Sequence, residues 1–177
     1  MAFTYSIKDP GAIYFVTFTV HQWVDVFSRP MYRDIEVESL QYCQASKGLK
    51  IYAWVLMPNH IDLIIRSEQE KLSDIIRDFK KFTSKQIVKA IEENQHENRK
   101  EWLLLTLKVE DKIWFGEEGY HGVEIGDFNM YASKVNYIHF NPVSNGLVEH
   151  PEEYLFSSAK DFLNKGKDIL KLSFING

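Results

Sequence analysis

Three stretches of this chain hold residue types that can do chemistry at a useful spacing. In Asn59-His60-Ile61-Asp62-Leu63-Ile64-Ile65, read as a β-strand, side chains alternate between faces. His60 and Asp62 then share one face and Ile61, Leu63 and Ile65 the other. An imidazole beside a carboxylate can hold a divalent ion, or the carboxylate can simply orient the imidazole by hydrogen bonding. In Tyr137-Ile138-His139-Phe140-Asn141, read as the end of a helix, residues four apart lie on one face about 6 Å apart along the axis. Tyr137 and Asn141 therefore point the same way, a phenol one turn from an oxygen ligand. The plainer alternative is one tyrosine of nine and an asparagine that ends a helix before Pro142. Between Lys71 and Lys89 six basic residues stand against two acidic ones, so this segment is +4 and the rest of the chain about −8. Arg77, Lys81, Lys85 and Lys89 step by four with Lys80 alongside, which makes either a solvated charged face or a track for phosphates.

Composition limits what these residues can be part of. A chain of 177 residues with 45% apolar and 26% charged residues is of ordinary globular make-up, and 14% aromatic residues argue against disorder. Its net charge of −4 excludes a protein coated in positive charge for non-specific duplex binding. The longest strictly apolar stretch, Ile51 to Met57, is far shorter than the roughly 20 residues of a membrane span, and no basic-then-apolar leader opens the chain. A soluble, cytoplasmic protein with no membrane partner is expected. The single cysteine, Cys43, can form no internal disulfide and has no ligand-spaced partner for a structural zinc site.

The elements that must position the candidate residues are marked by periodicity. Ala12 to Val20, rich in β-branched and aromatic residues after Asp9-Pro10-Gly11, predicts a central strand. Arg33 to Lys47 predicts a helix stopped by Gly48. Leu49 to Leu56 and His60 to Arg66 predict an antiparallel pair turning at Met57-Pro58-Asn59. A helix is expected after Ser73 as N-cap, with Ile75, Ile76, Phe79, Phe82, Ile87, Ala90 and Ile91 on its apolar face. Trp102 to Val109 reads as a strand or a helix end, and Ile113 to Ile125 as irregular or a hairpin. Asp127 should cap a last long helix, and Pro142 should end it near Phe140. Residues 1–150 are expected to form the main domain and 151–177 a tail packing back on it.

Four segments in this order, YFVTFTV (Tyr14 to Val20), MPNHID (Met57 to Asp62), YIHFNPVSNGLV (Tyr137 to Val148) and PEEYLFSSAKDF (Pro151 to Phe162), resemble REP-associated tyrosine transposases. These are a branch of the single-tyrosine HUH superfamily of insertion-sequence transposases. The resemblance runs from about residue 12 to residue 163. It implies a ferredoxin-like α+β fold, an antiparallel sheet with helices packed on one face, plus a C-terminal tail. It also implies a metal-dependent endonuclease and strand transferase acting on single-stranded or hairpin DNA with Mg²⁺ or Mn²⁺. By carry-over, His60 and Asn141 would be metal ligands, with Asp62 at the place of the second ligand, and Tyr137 the nucleophile that forms a 5′-phosphotyrosine link. Arg77, Lys80, Lys81, Lys85 and Lys89 would then track the DNA backbone, and Trp114 and Tyr120 would either stack on unpaired bases or pack in the core. A monomer is implied for this branch, with a dimer as the alternative from the wider superfamily.

One position departs from the family pattern of His, apolar, His, because this chain has His60-Ile61-Asp62. A carboxylate is a hard ligand well suited to Mg²⁺ or Mn²⁺, so one reading keeps the activity with an altered metal preference. The other is a catalytically impaired hairpin or single-stranded DNA-binding protein of the same fold.

Overall fold

The computed structural model describes residues 7–69, 71–108, 113–114, 121–166 and 169–175. Four strands, β1 (Tyr14–Thr19), β2 (Leu49–Met57), β3 (His60–Ser67) and β4 (His121–Glu124), form one sheet in the order β2-β3-β1-β4. Every neighbouring pair is antiparallel. The helices are α1 (Pro30–Lys47), α2 (Leu72–Glu93), α3 (Lys100–Leu107), α4 (Phe128–Ser144) and the short α5 (Ala159–Phe162).

Alternation along the strands divides the core in two. Tyr14, Val16 and Phe18 of β1 and Ile61, Leu63 and Ile65 of β3 face α1 and α2, where Leu40, Ile75, Phe79 and Ile87 are buried with them. Phe15, Ile64 and residues of β2 face the other way and meet Tyr131, Val135 and Ile138 of α4. The α+β class and the antiparallel sheet are as expected, but the helices do not all lie on one face, because both faces of β3 carry side chains that need cover. A bulge in β2 between Ile51 and Ala53 places Tyr52 and Ala53 on the α4 side together, which two-residue alternation cannot do.

Several local signals resolve differently from their simplest reading. Helix α2 starts at Leu72 after an extended Lys71, with Ser73 inside its first turn, and Phe82 is 54% exposed instead of joining the apolar face. The 102–109 region begins as helix α3. Asp127 does cap α4, its Oδ1 accepting from Met130 N at 2.8 Å. Pro142 does not end that helix, which runs on to Ser144. Proline near a C-terminus removes only its own N–H from the ladder, whereas the stop is made by Gly146 at φ +72°. Leu147 N donates to Pro142 O and Gly146 N to Val143 O, the paired bonds of a left-handed glycine cap. Asn141 thus stays helical, in register with Tyr137.

The outer edge of β2 is covered by the chain's last third. Leu56 N donates to Phe156 O, Ser158 N to Trp54 O and Ser173 N to Ile51 O, and Tyr154 Oη donates to Leu56 O. This occupies backbone groups that an open edge would offer to another chain. His139 of α4 ties into the same seam, its Nε2 2.8 Å from Ser158 Oγ and its ring against Phe162.

Burial pushes the His139 imidazole down to about 4. The folded state therefore binds fewer protons at this site than the unfolded chain between pH 6.5 and 4, so stability is complete above 6.5 and falls as pH drops through that window. Two and a half pH units correspond to about 3 kcal/mol at most. In urea titrations at pH 7, 5.5 and 4, His139→Gln should lose less stability over this range than the wild type; equal losses would remove His139 as the cause.

Candidate active site

The polar cluster forms where β3 passes between β1 and α4. Asp62 is 1% exposed on a central strand, a burial that is tolerable for a carboxylate only with hydrogen-bonding partners. Thr17, directly opposite on β1, donates its hydroxyl to Oδ1 at 2.6 Å. Asn141 Nδ2 donates to Oδ2 at 3.0 Å and lies 3.3 Å from His60 Nε2. His60 Nε2 is itself 3.5 Å from Asp62 Oδ2. The strand pattern that puts His60 and Asp62 on one face thus meets the helix position that carries Asn141.

The hydrogen-bond pattern sets the orientation of each group. His60 Nδ1 pairs with Asn59 Oδ1 at 2.7 Å, an oxygen that can only accept, so Nδ1 carries the hydrogen, and in the neutral ring Nε2 turns its lone pair toward Asp62. Two electron-rich atoms then face one small space. Asn145 Nδ2 donates to Asn141 Oδ1 and to its carbonyl oxygen, each at 2.9 Å, holding the Asn141 amide with its nitrogen inward. A half-turn of that amide would bring Oδ1 inward in place of Nδ2, and the Asn145 amide has both a donor and an acceptor with which to follow.

With the Asn141 amide turned so that Oδ1 faced inward, these donors would suit a hard divalent ion. Atoms bound at 2.0–2.1 Å to adjacent corners of an octahedral ion stand about 3 Å from one another; His60 Nε2 and Asp62 Oδ2 are 3.5 Å apart, and the Asn141 amide, through its Nδ2, lies 3.0 Å from Asp62 Oδ2 and 3.3 Å from His60 Nε2. Among the described residues no group of three His, Cys, Asp or Glu side chains could hold a metal ion; the third donor in this cluster is an amide.

Tyr137 stands beside this cluster with 56% of its surface exposed. Its ring meets Phe15 edge-on at 5.8 Å between centroids, and Phe15 shares a face of β1 with Thr17, two residues away. Lys134 Nζ lies over both rings, 4.6 Å from the Phe15 centroid and 5.8 Å from that of Tyr137. Burial, and then the negative charge of Asp62, push the Tyr137 phenol above its ordinary value. Left alone the phenol is a worse acid than a free tyrosine, and a positive charge beside Asp62 would reverse the second effect.

The expected DNA-tracking residues lie elsewhere. Arg77, Lys80, Lys81, Lys85 and Lys89 are on α2, whose apolar side packs on the sheet face opposite His60 and Asp62. Arg77 pairs with Asp74 and Asp78, Lys89 with Glu93, and Lys80 lies over Phe18. Lys81 and Lys85 are exposed. Trp114 is in the core at 4% exposure, stacked near Phe79 with its Nε1 donating to Thr83 Oγ1 at 3.1 Å, so its ring is not presented to bases. Tyr120 lies outside the described residues. Thr17, Asn145 and Lys134 are members of the site that sequence reading missed. The available signal was the pair of threonines, Thr17 and Thr19, alternating with apolar residues on β1.

Comparison with known proteins bears on the family and the fold. Residues 11–103, just over half of the chain, match the family model for IS200-like transposases; this range includes His60 and Asp62. No curated protein matches significantly. The fold is similar to that of a REP-associated tyrosine transposase bound to a REP hairpin, with a TM-score of 0.69 at 17% identity over 100% of this chain and 93% of that one. A candidate transposase from Deinococcus radiodurans R1 gives 0.48 at 14% identity over 78% of this chain and 92% of that one. With the family model spanning more than half of its length, the protein belongs to the IS200-like transposase family.

Proposed function

We propose that the protein nicks and rejoins single-stranded DNA next to a hairpin, with Tyr137 as the nucleophile and His60, Asp62 and Asn141 as ligands for Mg²⁺ or Mn²⁺. The observation that carries this reading is the convergence of His60 Nε2, Asp62 Oδ2 and the Asn141 amide one helical turn from the exposed Tyr137. Hairpin DNA as partner is supported by the fold neighbour, which is bound to a REP hairpin.

The chemistry follows from what each group can do. A phenol with pKa about 10 is ionised in roughly one molecule per thousand at pH 7, and in this site the fraction is lower still. The bound cation would draw charge from the scissile phosphate and offset Asp62. Tyr137 Oη attacks phosphorus in line, the P–O3′ bond breaks, the phenolic proton leaves to solvent and the departing 3′-oxygen takes up a proton. The 5′ end is left as a phosphotyrosine, and attack on it by another 3′-hydroxyl reverses the exchange without ATP. Lys134, already over the Tyr137 ring, is placed to meet the charge of a phosphate brought to Oη.

A second reading has its own observation. The buried carboxylate is satisfied by Thr17 and Asn141 without any cation, which suits a DNA-binding protein that does not cut.

A pool of single-stranded oligonucleotides with randomised hairpins and flanks, incubated with protein and Mn²⁺, should yield a denaturant-resistant adduct. Tyr137→Phe should lower it about a thousandfold or more, as for loss of an essential nucleophile. An adduct that persists in Tyr137→Phe contradicts the assignment; an adduct formed only by Asp62→His supports the second reading. Adduct formation by the wild type should also rise with pH from 6 to 9 as the phenolate fraction grows.

Lys81 and Lys85 are proposed to meet phosphates of the same DNA. Replacing both by Gln should make the plot of log affinity against log salt shallower by about 1.5, since each phosphate left unneutralised removes about 0.7–0.9 from the slope. An unchanged slope takes α2 out of the interface.

A further inference from the structure

The turn at His21–Trp23 puts a tryptophan where no core needs it. Trp23 is 62% exposed although Val20, Val24, Val26 and Phe27 around it are buried. The segment is not loosely held. Val20 N donates to Asn59 O, Phe27 N to Pro58 O and His21 N to Ile113 O, so it is tied on both sides of Trp23 to the turn that leads into His60. Gln22 and Trp23 have φ of +52° and +57°, the left-handed region that costs a side-chain-bearing residue energy, and neither is the glycine or asparagine that relieves it. Such a conformation persists only where the surroundings enforce it, and it is found most often at ligand-binding positions. Here it aims the indole at the site, edge-on to the His60 imidazole with ring centroids 6.4 Å apart.

We infer that Trp23 is a stacking platform for an unpaired nucleobase of a DNA strand lying across the His60 end of the site. The inference rests on the proposed single-stranded DNA substrate and adds the residue that grips it. A strand delivering a phosphate to Tyr137 must lay its neighbouring bases on the adjacent surface, and the indole offers an exposed π-face there. Stacking accepts any base but requires it to be unpaired, so Trp23 selects for single-stranded character and not for sequence. This is the stacking role expected of Trp114, whose ring is enclosed in the core.

The test uses the full chain and a single-stranded oligonucleotide carrying 2-aminopurine, with the blunt duplex of the same sequence as the paired control. Wild-type protein should quench 2-aminopurine on binding the single strand. Trp23→Ala should abolish the quench and weaken single-strand affinity about 5- to 150-fold, the range for removing one base-aromatic stack, with the salt slope and duplex affinity unchanged. Trp23→Phe should restore most of both. Equal loss of single-strand and duplex binding in Trp23→Ala would overturn the inference and leave the ring as a support for His60, as would wild-type affinity with the quench intact. Because the readout is binding, it separates from the nuclease reading. Stacking without any covalent adduct keeps Trp23 and removes catalysis, whereas an adduct with no Trp23 effect does the reverse. Wild-type protein that binds neither oligonucleotide overturns the Trp23 inference and leaves the nuclease reading to the hairpin adduct assay.

Discussion

The buried carboxylate of Asp62 is the constraint around which the rest of the site is arranged. A charge 1% exposed on a central strand must find partners from whatever packs on that face, and two elements supply them, Thr17 from β1 and Asn141 from α4. The second bond fixes where α4 sits. With Asn141 held against the sheet, the helical period sets Tyr137 one turn back along the same side, against Phe15. Asn145, one turn further on, braces the Asn141 amide. An apolar residue at 62 would relieve the burial cost, so the carboxylate is held here at some expense in stability.

The sheet separates two kinds of work. Its α1 and α2 face is filled with aliphatic and aromatic side chains and builds stability, with Trp114 and Phe79 as part of that packing. Its other face is apolar under α4 and turns polar toward the β2–β3 turn, where His60 lies. The turn at His21–Trp23 closes over that end, and the last third of the chain covers the β2 edge. An acidic protein could still approach DNA on such a plan, because the cation proposed for this cluster would bring positive charge only where it is needed.

Much of this was legible from residue types and spacing. Period-two alternation in His60 to Arg66 put His60 and Asp62 on one face without reference to any neighbour, and the four-residue step did the same for Tyr137 and Asn141. What could not be read was which side of the sheet each helix would take. The basic stripe of α2 is visible as a stripe, but its placement across the sheet from His60 is a tertiary fact. Pro142 misleads for a local reason: its effect on the preceding residue is a bias, and the glycine cap at Gly146 overrides it. Thr17 and Trp23 escaped notice because a threonine in a strand and a tryptophan before a turn are ordinary until the structure brings them to Asp62 and His60.

The cation site proposed at His60, Asp62 and Asn141 can be tested by anomalous diffraction from crystals equilibrated with Mn²⁺. One strong peak is expected about 2.1 Å from His60 Nε2, Asp62 Oδ2 and Asn141 Oδ1, with the Asn141 amide turned by half a rotation. A site without such a peak at saturating Mn²⁺, with Asn141 Nδ2 still donating to Asp62, would contradict it.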